Sequence, residues 1–205
     1  MISHHRKFIF LHIPKCGGTS IEASFSAWTN IYAQNYFFIG KNRQHFFLNQ
    51  ILDKYPECSN YFKFAFIRNP FSRIVSEYKY AKKESNNNHN TKSKMPLNLS
   101  FQEFCQNLDY SLDHYCYKFH NKSLCDYLLN PDGSKTVDFI GRLESFQKDF
   151  DIICDKIGIQ QKKLPHSFKS DYKKHYTEYY DDKTREIVAK KYAKDIELFD
   201  YKFGE

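Results

Sequence analysis

Residues 8–20, Phe-Ile-Phe-Leu-His-Ile-Pro-Lys-Cys-Gly-Gly-Thr-Ser, decide the fold class of this chain. The apolar run at the start of this stretch predicts a buried strand, and Pro14 leads into a turn that contains two glycines. Ile21, Phe25 and Trp28 then follow near helical spacing, which predicts a helix directly after the turn. A buried strand, a tight turn and a helix in this order indicate an α/β fold.

The turn has the composition of an anion-binding site. Gly17 and Gly18 allow the backbone to approach an anion closely, and the amides of the first helical turn point toward it. Lys15 adds a positive charge, and the hydroxyls of Thr19 and Ser20 add donors. The lysine precedes the glycines, whereas in the common nucleotide-binding loop it follows them. A turn whose glycines serve only packing is the alternative that this stretch leaves open.

A second strand, turn and helix follow further along the chain. Residues 62–67 predict another buried strand, Arg68 follows its carboxyl end, and Pro70 suits the first position of a helix. Ser76 lies about two turns into that helix. Because open α/β sheets bind ligands at the carboxyl ends of their strands, Arg68 and Ser76 predict a second phosphate site. Arg73 either contributes to this site or is a structural ion-pair partner.

Residues 10–20 and 68–76 together resemble the paired cofactor motifs of sulfotransferases, in the family of the carbohydrate sulfotransferases and heparan sulfate 2-O-sulfotransferase. In that family the first motif holds the 5′-phosphosulfate of 3′-phosphoadenosine-5′-phosphosulfate (PAPS), and the second holds its 3′-phosphate. The similarity continues in residues 140–144, 164–170, 175–181 and 193–203. It therefore covers nearly the whole chain and is weakest over about 85–135.

The resemblance implies a single sulfotransferase domain over residues 1–205, with a P-loop-NTPase-like parallel β-sheet flanked by helices on both faces. We expect the polar residues 85–98 to form a mobile loop, and residues 99–135 to form a helical insertion at the acceptor site. Local patterns also predict helices over 44–54, 143–157 and 182–198, a helix after a capping box at Ser100, and a strand over 136–140.

The resemblance also implies which residues bind the donor. They are Lys15, Cys16, Gly17, Gly18, Thr19, Ser20, Arg68, Ser76 and Lys169. The leaving phosphate accumulates negative charge, and Lys15 beside the bridging oxygen would stabilise it, so that 3′-phosphoadenosine-5′-phosphate (PAP) is the product. Lys169 resembles part of a segment that closes over the nucleotide in relatives, with a solvated loop as the alternative. No metal is implied.

The acceptor hydroxyl must lose a proton during transfer, so a base is required near it. His45 is the candidate, because it precedes the second motif strand in a region where members of the family place a catalytic histidine. Glu22, in the helix of the first motif, and His166 are the alternatives, and a surface role for His45 also stays open. His12, inside the first strand, is expected to be a buried and hydrogen-bonded histidine.

The charge distribution agrees with an anionic donor. Residues 1–84 hold 12 Lys and Arg against 5 Asp and Glu, which equals the net charge of +7 of the whole chain. The chain has no Lys/Arg tract and no RNA-binding motif, so nucleic acid is not an expected partner. No apolar run approaches 18 residues, and the first strand begins by about Lys7. We therefore expect neither a membrane span nor a signal peptide, and a cytoplasmic location.

The six cysteines form no Cys-x-x-Cys pair, and free thiols are the expectation in the cytosol. Two alternatives concern the segment after residue 113. One is a disulfide between Cys116 and Cys125, and the other is a metal bound among His114, Cys116, His120 and Cys125.

The expected function is transfer of the sulfuryl group from PAPS to a hydroxyl of an acceptor, with a carbohydrate as the favoured acceptor class. A non-catalytic PAP- or glycan-binding protein is one alternative, because loss of the base alone would preserve binding. An atypical nucleotide kinase is another, but it would need a Mg²⁺-binding Asp at a strand end, which neither motif strand supplies. The identity of the acceptor and the oligomeric state stay open.

Overall fold

The computed structural model describes residues 1–28, 36–37, 45–86, 95–116, 118–164 and 174–205. The chain divides into two compact units, each made of two separate stretches. The first unit contains Met1–Arg68 and Asp126–Lys169, and the second contains Asn69–Cys125 and Ser170–Glu205. The single domain over residues 1–205 stays a prediction.

The first unit contains a mixed β-sheet. Its strands are β1 (Ile2–Ser3), β2 (Phe8–Leu11), β3 (Tyr36–Phe37), β4 (Phe62–Ile67) and β5 (Phe139–Arg142), and they lie in the order β3-β1-β2-β4-β5. Strands β2, β4 and β5 are parallel, whereas β1 pairs antiparallel with both β2 and β3. The predicted α/β class is confirmed. The two antiparallel strands were not predicted, because two residues are too few to show an alternating pattern.

The helices in the described part of the chain come after these strands or between them. They are α1 (Gly18–Trp28), α2 (Leu48–Lys54), α3 (Pro70–Asn86), α4 (Phe101–Gln106), α5 (Leu108–Tyr115), α6 (Leu124–Leu128), α7 (Phe146–Lys156), α8 (Asp182–Lys191) and α9 (Ala193–Leu198). Short 3₁₀ helices cover Pro56–Cys58, Lys118–Asn121, Leu143–Ser145 and Tyr176–Tyr179. In the described residues no helix is long and apolar enough to cross a membrane.

Local signals placed several of these elements correctly. The strand predicted over 62–67 is β4, and Pro70 is the first residue of α3. Ser100 caps α4, where its Oγ accepts the amide of Glu103 at 3.2 Å. The predicted strand over 136–140 instead begins at Phe139. Each confirmed element is specified by residues within or next to it, such as a proline or a cap.

The single long helix predicted over 182–198 is wrong. α8 ends at Lys191, and Tyr192 adopts φ −108° and ψ 26°, outside the helical region, before α9 begins. In α9 the buried carboxylate of Asp195 accepts the backbone amides of Leu124 and Cys125, at 2.8 and 2.9 Å. The long-range contact, which the local pattern does not reveal, determines the direction of the last helix.

The core of the first unit is a layer of aromatic rings on one face of the sheet. Phe10 in β2 pairs in register with Phe64 in β4, and their rings are 5.2 Å apart. Phe25 of α1 lies 5.1 Å from Phe8 and 5.8 Å from Phe150 of α7. Residues on the opposite face, Ile9, Leu11, Ala65 and Ile67, are also buried, as in parallel sheets with both faces covered.

The second unit combines an apolar helical core with a buried polar group. The apolar part is formed mainly by α3, α4, α5 and α8. Arg73 of α3 is fully buried and donates to the backbone carbonyls of Lys122 and His120, at 2.9 and 3.3 Å. These contacts support the structural interpretation of Arg73. All six cysteines lie in the described residues and carry free thiols, so the disulfide alternative is wrong.

Candidate active site

The turn between β2 and α1 adopts an unusual backbone conformation. Lys15 has φ 62° and Gly17 has φ 83°, both in the left-handed region that non-glycine residues rarely adopt. The amide of Cys16 donates to the carbonyl of Ile13 at 3.4 Å, and Arg68 Nη1 donates to the carbonyl of Lys15 at 3.4 Å. A strained lysine that is held by its surroundings is typical of functional loops.

The two glycines of this turn are in close contact with neighbouring side chains. A Cβ at Gly17 would lie 2.7 Å from the ring of Phe146 and 2.8 Å from the side chain of Leu143. A Cβ at Gly18 would lie 2.1 Å from the imidazole of His12. Both distances are shorter than real Cβ contacts allow, so a side chain at either position would force these neighbouring side chains to shift. The role of the glycines in binding an anion stays a prediction.

Helix α1 presents its N-terminus at this turn. It begins at Gly18, and its first turn holds no acidic side chain that would offset the positive end of the helix dipole. The amides of Ser20 and Ile21 donate to the carbonyl of Gly17, at 3.0 and 3.3 Å, which fixes the turn. Thr19 and Ser20 are half-buried. The end of the helix therefore has the polarity that suits a negatively charged group.

Three titratable side chains meet beside the turn. His12, in the residue after β2, places its Nδ1 2.9 Å from Oε1 of Glu22, and the Glu22 side chain is 8% exposed. His45, shortly before α2, places its Nδ1 2.6 Å from the backbone carbonyl of His12. The two imidazole rings are 4.5 Å apart and perpendicular. The hydrogen-bonded, largely buried environment predicted for His12 is therefore present.

The acceptor atoms define the tautomers of both rings. A backbone carbonyl can only accept a hydrogen bond, so the Nδ1 of His45 carries the proton. The neutral ring of His45 then has its basic lone pair on Nε2. The same argument gives His12 a proton on Nδ1, because the carboxylate of Glu22 accepts there.

The predicted site residues divide between the two units. Lys15, His45 and Arg68 belong to the first unit, where Arg68 contacts the turn itself. Ser76 belongs to the second unit and is buried. Lys169 and His166, together with residues 87–94 of the predicted polar loop, lie outside the described residues.

A buried group in the second unit has donor atoms that a metal could use. One ligand atom each from Glu77, Cys116 and His120 lies within 4.8 Å of the others. His120 Nδ1 is 2.7 Å from Oε2 of Glu77, so this pair is already hydrogen-bonded without an ion. In the metal alternative, Cys116 and His120 were grouped with His114 and Cys125, and Glu77 was not considered.

Two other thiols are poorly suited to nucleophilic chemistry. Burial raises the pKa of the Cys154 thiol to about 12 and also raises the pKa of Cys105. Both groups are therefore neutral at pH 7, which disfavours their use as nucleophiles.

The link between His12, Glu22 and His45 was missed by sequence reasoning, which treated each residue separately. A partial signal was present. Gly18 and Glu22 are four residues apart and share one face of α1, so the side chain that follows β2 can contact both. The contact of His45 has no such local signal, because 33 residues separate it from His12.

Comparison with known proteins assigns the chain to a family. The model of the sulfotransferase family matches residues 1–202, and the chain belongs to this family. Membership supports sulfuryl transfer from a donor to an acceptor as the general reaction. An uncharacterized protein from Archaeoglobus fulgidus is 31% identical over 101 residues, which cover 49% of this chain and 71% of that protein. No solved structure matches the chain.

Proposed function

We propose that this protein transfers the sulfuryl group of PAPS to a hydroxyl of an acceptor, with PAP as the second product and a carbohydrate as the acceptor class. The observation that carries the proposal is the 2.6 Å contact between His45 Nδ1 and the carbonyl of His12. His12 stands three residues before Lys15, so a histidine with a basic Nε2 is held next to the turn assigned to the donor.

In this proposal the donor is held by two groups of residues. The turn, with Lys15, the backbone of residues 16–18 and the hydroxyls of Thr19 and Ser20, binds the 5′-phosphosulfate. Arg68 and Ser76 bind the 3′-phosphate, and Lys169 covers the nucleotide. The strained backbone of Lys15 and the absence of acidic residues in the first turn of α1 support the first assignment. The binding of the donor requires no metal.

The proposed reaction is a single in-line displacement. The acceptor oxygen attacks sulfur, a new sulfur–oxygen bond forms, and the bond between sulfur and the bridging phosphate oxygen breaks. The proton of the hydroxyl moves to Nε2 of His45, and the ammonium group of Lys15 stabilises the negative charge that the leaving phosphate gains. Glu22 is not assigned as the base, because its buried carboxylate already accepts a hydrogen bond from His12.

Transfer of radiolabelled sulfate from PAPS to glycans, lipids and small alcohols tests the proposal. The wild type should label at least one hydroxyl acceptor, and glycans are the class expected to react. Lys15→Ala should lower kcat by at least ~10²-fold, the scale for loss of one preorganised donor. Lys156→Ala, which removes an exposed lysine of α7, is the matched control and should react like the wild type.

Two outcomes would contradict the proposal. PAP binding without transfer to any acceptor would favour a non-catalytic PAP- or glycan-binding protein. A Lys15→Ala variant with normal turnover would show that the turn does not stabilise the leaving phosphate.

A further inference from the structure

His12 is fixed in place by three neighbours. Its Nδ1 donates to Glu22, its ring stacks on Phe10 with centroids 5.8 Å apart, and it lies against Gly18, where no Cβ fits. The side chain of His12 is 13% exposed, and Glu22 is 6% exposed as a whole residue. Because neighbours contact the imidazole at its edge, on its face and at its Nδ1 atom, the ring has little freedom to rotate.

The fixed residue His12 in turn contacts His45 in two ways. Its backbone carbonyl accepts the proton on Nδ1 of His45, and its ring meets the ring of His45 at 90°. The first contact selects the tautomer of His45, and the second restricts the rotation of its ring. Glu22 on α1 can therefore influence His45 indirectly, through His12.

We propose that Glu22 and His12 are positioning residues that act through His45, and that Gly18 couples this arrangement to the donor turn. The proposal rests on the assignment of His45 as the base. A group that fixes the tautomer and direction of a histidine makes its other nitrogen available in one orientation. Gly18 contributes because the same residue begins α1 and leaves the space in which the His12 ring lies.

The proposal differs from the one in which Glu22 is itself the base. A base must reach the acceptor hydroxyl, whereas the Glu22 carboxylate is buried and faces His12. The amino group of Met1, which donates to the carbonyl of Phe10 at 2.9 Å, is another titratable group on which the charge of Glu22 acts.

Two variants of Glu22 test the proposal by kinetics. Glu22→Gln keeps an acceptor oxygen and the size of the side chain, and Glu22→Ala removes both. Glu22→Ala should lower kcat by about 10- to 100-fold, the scale for loss of a group that orients a metal-bound histidine. Glu22→Gln should cause a smaller decrease in kcat, and the KM for PAPS should stay unchanged in both variants. Glu57→Gln, an exposed glutamate in the same unit, is the control and should behave as the wild type.

A double-mutant cycle separates positioning from a merely structural role. If Glu22 acts through His45, adding Glu22→Ala to His45→Ala should cause no further loss of kcat. A structural role would lower the melting temperature and reduce kcat by the same factor in both backgrounds. A kcat of Glu22→Gln far below that of His45→Ala would overturn the proposal in favour of Glu22 as the base.

Nitrogen-15 NMR of the histidine side chains tests the geometry without any substrate. In the wild type, neutral His45 should carry its proton on Nδ1. In Glu22→Ala the backbone carbonyl of His12 still accepts this proton, but the ring signals of His45 should shift and broaden because the His12 ring that packs against it is no longer held. Gly18→Ala should have the same effect, because its Cβ would displace the His12 ring. If the wild type transfers no sulfate, the proposed function fails, but this measurement still decides the positioning. A His45 proton on Nε2 in the wild type, or ring signals of His45 that are unchanged in Glu22→Ala, would overturn it.

Discussion

The two units of this protein each contain a buried pair of histidine and carboxylate. In the first unit His12 Nδ1 lies 2.9 Å from Glu22, and in the second unit His120 Nδ1 lies 2.7 Å from Glu77. Both histidines use the same ring nitrogen, and both carboxylates belong to the helix that follows a strand, α1 or α3. By their own geometry the two pairs are nearly equivalent.

Their surroundings differ. His12 lies against a glycine of the turn, and its backbone carbonyl accepts a hydrogen bond from His45. The backbone carbonyl of His120 instead accepts a hydrogen bond from the buried guanidinium of Arg73. The ring of Tyr80 stacks 6.1 Å from His120. The first pair contacts groups to which we assign a role in catalysis, and the second contacts groups that connect separate segments of the chain. The neighbours of such a pair, and not the pair itself, indicate whether it serves catalysis or stability.

The largest expected effect comes from removing His45, the proposed base that contacts His12 of the first pair. If His45 is the proposed base, His45→Ala should lower kcat by ~10²- to 10⁴-fold, the contribution of a general base. PAP affinity should stay unchanged, because the proposal places His45 at the acceptor and not at the nucleotide. Turnover and PAP calorimetry measure the two quantities. His4→Ala removes an exposed histidine of the same unit and should behave as the wild type. Near-normal turnover in His45→Ala would show that His45 is only a histidine near a helix end.

Breaking the second pair should instead affect the fold. Glu77→Ala leaves the buried imidazole of His120 without its carboxylate partner, so the free energy of unfolding should fall by about 3–5 kcal/mol. Urea denaturation measures it, and kcat per folded molecule should stay near the wild-type value. A stable but inactive Glu77→Ala variant would remove the distinction between the two pairs.

Arg68 sharpens the comparison because it belongs to the first unit and contacts the donor turn. Arg68→Ala should weaken PAP by about 1.5–3 kcal/mol, the value of a hydrogen bond to a charged group, and should weaken adenosine-5′-phosphosulfate much less. Calorimetry with both ligands compares the losses. Arg6→Ala is the matched control, because Arg6 Nη1 also donates to a carbonyl, that of Gly158, in the same unit. Equal losses for the two ligands would contradict the assignment of Arg68 to the 3′-phosphate.

The smallest expected effect is a difference in stability between alanine variants of two glycines that have the same φ of 83°. Gly133 has open space where a Cβ would lie, so Gly133→Ala should cost only the backbone strain, about 1–2 kcal/mol. Gly17→Ala adds overlap with Phe146 and Leu143, which should cost about 1–3 kcal/mol more. Thermal denaturation compares them. Equal stability of the two variants would show that the turn tolerates a side chain.

Sequence reasoning predicted the elements whose signals are local. The strand over 62–67, the helix that begins at Pro70 and the cap at Ser100 all depend on residues within a few positions. Tertiary contacts decided the rest. The carboxylate of Asp195 accepts hydrogen bonds from the backbone amides of residues about 70 positions earlier. The helix after Tyr192 has the direction that these hydrogen bonds require.

The candidate site shows the same division. The donor turn is continuous in sequence, so the positions of Lys15 and the two glycines relative to a strand and a helix were predictable. The contact between His45 and the carbonyl of His12 was not predictable, because every residue has a backbone carbonyl and the residue type does not show which one is used. Glu22 was given as an alternative to His45 as the base, whereas its carboxylate contacts His12.

Calorimetric titration of the wild type with PAP, in the absence of Mg²⁺, tests the central claim most directly. The claim is that the turn around Lys15 and Arg68 binds a 3′-phosphorylated adenine nucleotide as part of a sulfuryl transferase. We expect a Kd of about micromolar order for PAP, with no gain from Mg²⁺. ATP with Mg²⁺ bound more tightly than PAP would contradict the claim and favour a nucleotide kinase.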